Sequence, residues 1–158
     1  MALERIFSIV FENVTVAAVQ DLFALKASAT NGLVIRRISL SAGAVTAPAE
    51  IRLRLKRFPA TVTIGSVGTA PTVNKVSSVM GQAALSTNAR ANDTTQATTT
   101  GTVAILANWQ WNVLQEFLEI PPTEDERWEC ALSEALILDI AATPASTVLS
   151  GTIVYVEV

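Results

Sequence analysis

Cys130 is the chain's one cysteine, and the chain holds no histidine. A thiol or hydroxyl nucleophile needs a neighbouring base to take its proton. Cys130 lacks a histidine partner and follows Trp128-Glu129 in an apolar-leaning stretch, so it reads as a buried residue. Lys75 with Ser77 or Ser78 does not have the spacing of a Ser-Lys pair. One cysteine makes no intrachain disulfide, and the usual zinc and redox constellations need ligands this chain lacks. No catalytic, cofactor-binding or metal-ligating residue is assigned.

Carboxylates offer a second kind of chemistry. Glu124, Asp125 and Glu126 stand together, with Glu119 and Glu129 close by. Paired carboxylates can cleave glycosidic bonds, and acidic loops can hold calcium. Three consecutive acids after Pro121-Pro122 more often form a solvated tip, and the ordered ligand spacing of an EF-hand is absent.

Basic residues are the more informative group. Arg36, Arg37, Arg52, Arg54, Lys56 and Arg57 are six of the eleven Lys and Arg residues. If their two strands are neighbours, part of this set forms a positive stripe on one sheet face, suited to an acidic protein partner, with Arg52, Arg54 and Lys56 as its basic face. The plain alternative is a solvated face bridged by local acids. Trp109, Trp111 and Trp128 read first as core anchors. Spaced two apart, Trp109 and Trp111 share one strand face, where an exposed pair would be an interface anchor or a platform for a sugar ring.

Those residues need a scaffold, and composition limits its kind. The chain has 158 residues, about one domain's worth. Half its residues are apolar, which argues against disorder of the whole chain. Its net charge of −3 opposes nucleic-acid binding. Mean hydropathy is +0.41, but no apolar run approaches the roughly 20 residues that span a bilayer. The opening MALERIFSIVFENV has no long apolar core or cleavage site, so it reads as a strand and not as a targeting segment. With so few charges to cover it, the chain is expected to associate with copies of itself or with other subunits.

Period-2 patterning dominates. Strands are expected at Arg5–Phe11, Gln20–Lys26, Leu33–Ser41 and Glu50–Phe58. In the last of these Ile51, Leu53 and Leu55 point one way and Arg52, Arg54 and Lys56 the other. In Leu33–Ser41, Arg36 shares parity with Ile38 and Leu40. Ala60–Thr100 is rich in Thr, Ser, Ala and Gly and reads as a loop-rich excursion, with a short strand at Thr61–Ile64 and a helical turn or two within Asn74–Leu85. Strands return at Thr102–Trp109, Asn112–Glu119, Trp128–Ala131, Ala135–Ile140 and Thr147–Val156. Eight to ten short strands without a long amphipathic helix predict an all-β, antiparallel β-sandwich of jelly-roll type, one domain over 1–158.

The segments ERIFSIVFENVTVAAVQDLFALKA, GLVIRRISLSAG and EIRLRLKRF, with NARANDTTQA, WNVLQEFLEIPPTEDERW and STVLSGTIVYVEV, resemble small virion structural proteins of tailed phages, of the capsid decoration or cement type. The resemblance spans nearly the whole chain. It rests on patterned strands and turns and on no chemical signature. It implies a β-sandwich that assembles as a homotrimer in the host cytoplasm and sits on the capsid surface. There it would bind the major capsid protein and stabilise the shell, with no enzymatic activity, no cofactor, and neither nucleic acid nor membrane as partner. Within the same resemblance, the alternative is a trimeric head-fibre module that binds a host receptor or glycan. From the residues themselves, Arg52, Arg54, Lys56, Arg36, Trp109 and Trp111 are the candidate partner contacts.

Overall fold

The computed structural model describes residues 5–43, 45, 48–77 and 88–158. Its strands are β1 (Arg5–Val16), β2 (Asp21–Lys26), β3 (Leu33–Ala42), β4 (Glu50–Phe58), β5 (Asn74–Lys75), β6 (Asn88–Asp93), β7 (Ala104–Asn112), β8 (Phe117–Glu119), β9 (Trp128–Cys130), β10 (Ala135–Ile140) and β11 (Thr147–Glu157). A single 3₁₀ turn covers Glu124–Glu126, and no α-helix occurs among the described residues. No helix of the described residues is long and apolar enough to cross a membrane.

Two antiparallel sheets form. Sheet A runs β5-β1-β11-β3-β8, with β9 also on β3, and sheet B runs β6-β2-β10-β4-β7. The pairing is nested. The first long strand pairs with the last, β1 with β11, and the second with the second-last, β2 with β10. Next inward, β3 pairs with β8 and β9, and β4 pairs with β7. Chain wrapping of this kind, passing between sheets at nearly every connection, is the jelly-roll arrangement that the strand count predicts. The sandwich and its antiparallel pairing agree with the sequence reading.

Alternation explains the core. Ile51, Leu53 and Leu55 of β4 meet Phe7 and Ile9 of β1, Ile35, Ile38 and Leu40 of β3, and Ile153 and Tyr155 of β11 in one buried cluster. Except at the β3 bulge, which sets Ile35 and Ile38 three apart, these side chains come from alternate positions because a strand turns successive residues to opposite faces. Phe11 and Phe23 add an aromatic contact between the sheets, with ring centroids 5.1 Å apart. Burying a side chain of this size contributes about 1.5–3 kcal/mol relative to leaving it in water.

The Ala60–Thr100 excursion is the β4-to-β7 connection, and it has structure of its own. Its first half bridges back onto its second at Thr63–Thr98, Ser66–Thr95 and Thr69–Ala91. Gly65 and Gly68 permit this approach, since a Cβ on either would lie 2.3 Å from a facing carbonyl oxygen. β5 then joins the edge of sheet A and β6 the edge of sheet B. Thr61–Ile64 contributes only the isolated bridge at Thr63. Asn74–Lys75 is strand, not helix, and residues 78–87 of the expected helical turn lie outside the described residues. Thr102–Trp109 and Asn112–Glu119 resolve into β7 and a short β8, with a turn between them.

Candidate functional site

The excursion covers the outer face of sheet B. Val62, Ile64, Ala97 and Val103 pack on Ala24, Phe58, Ala135 and Ile137, forming a second apolar cluster outside the main core. This third layer explains why all six residues of β10 are buried. β10 has one face in the sandwich and the other under the excursion.

Within this layer lies a group of buried charges. Asp139 is fully buried on β10. Arg54 donates to it twice, Nε to Oδ1 at 3.1 Å and a terminal nitrogen to Oδ2 at 2.7 Å, and Lys56 pairs with the same carboxylate. Asp21, on the neighbouring β2, accepts from the backbone N–H of Ala97 at 2.7 Å. Gln96 Nε2 donates to both Asp21 and Asp139. Burial pushes the Asp21 carboxyl up to about 6, against the lowering effects of the Ala97 amide and Lys56. Further along, Arg90 holds buried Asp93 with two nitrogens, and Asp93 accepts from the Gly68 N–H at 2.9 Å. Lys26 Nζ donates to the Val62 carbonyl at 3.0 Å. The contacts made by Val62, Gly68, Gln96 and Ala97 tie the excursion to the sheet. Satisfied in this way, the charges fasten a layer in place and are engaged with one another.

The expected basic stripe is therefore corrected. Arg54 and Lys56 are paired with Asp139 beneath the excursion. Arg52 remains exposed on β4, where its Nε donates to Asn108 Oδ1 at 3.2 Å. Arg36 lies on β3 in the opposite sheet, so it cannot extend a stripe on β4. Nor does it share a face with Ile38. The register shifts between Val154 and Tyr155, whose partners are Arg37 and Ile35, and this bulge turns Arg36 out of the core row.

Trp111 is corrected as a surface contact, while Trp109 keeps partial exposure at the β7 edge. Trp109 and Trp111 do share one strand face, but it is the inward one. Trp111 is buried, and its indole N–H donates to the Gln115 carbonyl at 2.7 Å. Trp109, half-buried, stacks edge-on against Phe117 and Trp128 at 5.4 and 5.6 Å. Neither ring lies open for a sugar. Cys130 is buried, and burial pushes its thiol up to about 12. No group of three or more metal-ligating side chains occurs among the described residues.

Sheet A offers a different outer face. An open groove of about 460 Å³ is lined by Ile6, Ser8, Arg36, Arg37, Val76, Ile120, Thr152 and Val154. Val76 and Ile120 are each 55% exposed, and Leu118 beside them is 53% exposed. Val10 and Val148 add further exposed apolar area. Sequence reasoning passed over this surface because its residues come from β1, β3, β8, β11 and the excursion. It becomes visible only once the sheet order is known.

No protein-family model matches this sequence, and no curated protein matches it. Among solved structures, the chain aligns with one from infectious bursal disease virus, Gx strain, at 18% identity and a TM-score of 0.17. That alignment takes in 99% of this chain and spans 40% of the length of the other. A likeness at that score carries no argument about fold or role.

Proposed function

We propose that this chain is a non-enzymatic virion structural protein, a decoration or cement subunit that binds the outside of a tailed-phage capsid and bridges its major capsid proteins. One observation carries the reading: the outer face of sheet A presents Val76, Leu118 and Ile120 to solvent around Arg37, while the chain's own excursion packs over Ala24, Phe58, Ala135 and Ile137 on the matching face of sheet B. An apolar patch rimmed by polar residues is the usual mark of a protein contact. The resemblance of the strand segments to decoration proteins supplies the partner. Binding only the assembled shell stabilises that state by mass action, and many copies on a closed lattice add multivalency. Assembly as a homotrimer in the host cytoplasm belongs to the same proposal.

Cryo-EM of intact particles tests it. Density for this chain is expected outside the coat, with sheet A facing the capsid, and Ile120→Asp is expected to remove that density while leaving the fold intact. Finding the protein free in the host cell and absent from particles would overturn the reading.

A further inference from the structure

Three of the four sheet edges are blunted among the described residues. The outer strand of sheet A beside β1 is the two-residue β5, and the opposite edge is split into β8 and β9 of three residues each. β6, at one edge of sheet B, is met by the excursion through the Ala91–Thr69 bridge and carries the Arg90–Asp93 pair. β7, at the other edge, differs. It is nine residues long, AILANWQWN, with no Lys, Arg, Asp, Glu or Pro. Proteins normally guard such an edge with a charge, a proline, a bulge or a very short strand, and the bulge in β7 falls between Ile105 and Ala107, outside Asn108–Asn112.

The direction of its free groups can be worked out. Val113 N–H donates to the Ala49 carbonyl, in register with the β4–β7 ladder. Antiparallel pairs alternate between bonded and non-bonded positions. Trp111 and Trp109 therefore bond to β4, and the backbone groups of Asn108, Gln110 and Asn112 point away from it. Among the described residues no backbone hydrogen bond reaches the outward groups of Asn108 and Gln110. The Asn112 carbonyl accepts from the Gln115 N–H at 3.0 Å, where the chain turns, and keeps a second lone pair.

We infer that β7 pairs with β7 of a second copy of this chain, antiparallel about a two-fold axis centred on Gln110, to make one continuous sheet from two copies of sheet B. In this register Asn108 faces Asn112 of the second copy and Trp109 faces its Trp111. Outward side chains meet outward ones and inward meet inward, as the pleat requires. The absence of charge lets a strand meet itself without like-charge repulsion. Half-buried Trp109, already stacked on Phe117 and Trp128, stands at the open edge where a second sandwich would cover it. The contact is independent of the capsid reading and is separate from any threefold one.

Light scattering on the purified full chain, with Gln110→Lys alongside, tests the inference. Gln110 donates to Glu50 at 2.9 Å, so a lysine there keeps an intrachain partner and the monomer's fold. Across the two-fold axis, however, it opposes its own copy. Wild-type mass is expected to be twice 16.8 kDa, or six times it where the threefold contact of the proposed homotrimer forms as well, and Gln110→Lys is expected to halve it with the circular dichroism spectrum unchanged. Gln110→Cys should crosslink two chains under mild oxidation, since opposed Cα atoms at about 5.5 Å lie within disulfide range. A wild-type monomer or trimer at about 100 µM, well above the Kd of a stable dimer, would overturn the inference. So would an even-numbered assembly that Gln110→Lys leaves whole and Gln110→Cys fails to crosslink.

Discussion

Arg54 grips Asp139 with two nitrogens across the β4–β10 ladder, at 3.1 and 2.7 Å, on a face that the chain itself closes over. The two residues are direct register partners. Asp139 is fully buried, and Arg54 and Lys56 keep only 28% and 14% of their side chains exposed. A buried pair adds little over an apolar one of equal shape, but breaking it strands a charge.

Asp139→Ala leaves both cations without their carboxylate. It is expected to destabilise the protein by about 3–5 kcal/mol, read from the midpoint of a urea melt. The triple variant Asp139→Leu, Arg54→Met, Lys56→Met should recover most of the loss. Failure to recover would mean that the network does more than neutralise itself.

Asp21 sets a pH dependence of definite sign. Its carboxyl is raised from 3.8 to about 6 in the fold, chiefly by burial. Between those values the native state holds more protons than the unfolded one, so stability falls as pH rises through that window and is level above it. Relative to Asp21→Asn, wild type should lose about 2–3 kcal/mol from about pH 4 to pH 7, since each pH unit inside the window is worth at most about 1.36 kcal/mol. Denaturant midpoints for both proteins at several pH values check this. Parallel curves would refute the assignment.

Cys130 should be chemically silent in the native protein. With its thiol pushed up to about 12 and buried, almost no thiolate is present near neutral pH. A thiol-reactive chromophore is expected to label it only after denaturant is added. Stoichiometric labelling of the folded protein within seconds would contradict its burial on β9.

Val67 sits at φ 73° and is 76% exposed. A β-branched residue in the left-handed region costs about 1–2 kcal/mol, and here no burial offsets it. Val67→Gly or Val67→Asn is expected to raise Tm by a few degrees, measured by calorimetry. A lower Tm for both would show that the valine makes a compensating contact.

Much of the scaffold was legible because it rests on binary alternation. β4 matches its expected limits, Glu50 to Phe58, since charged and aliphatic residues alternate from Glu50 to Lys56 and Pro59 ends the run. Arg36 was misplaced because a bulge changes parity, and nothing in LVIRRISLS marks where the extra residue falls. The buried charge network was missed for a different reason. β4 alone looks half-wet, and only a third layer makes its polar side dry. One local signal did exist: ALILDI is apolar on both parities except for Asp139, a pattern that calls for a strand buried on both faces and a cation for its acid. Arg54 and Lys56 were the matching cations. The open edge of β7 also waited on sheet order, because a strand's neighbours are not written in its own residues.

The nested pairing places β10 and β11, the last two strands of the described residues, at the centres of their sheets. Until both have left the ribosome, β2 has no β4 to reach and β1 has no β3. Before then only partial pairings such as β2 with β6, β3 with β8 and β4 with β7 can form, and neither sheet can join its two sides. A chain stopped before Ala135 should therefore be more protease-sensitive than one that includes β10 and β11, which makes the emergence of these two strands the event that licenses folding.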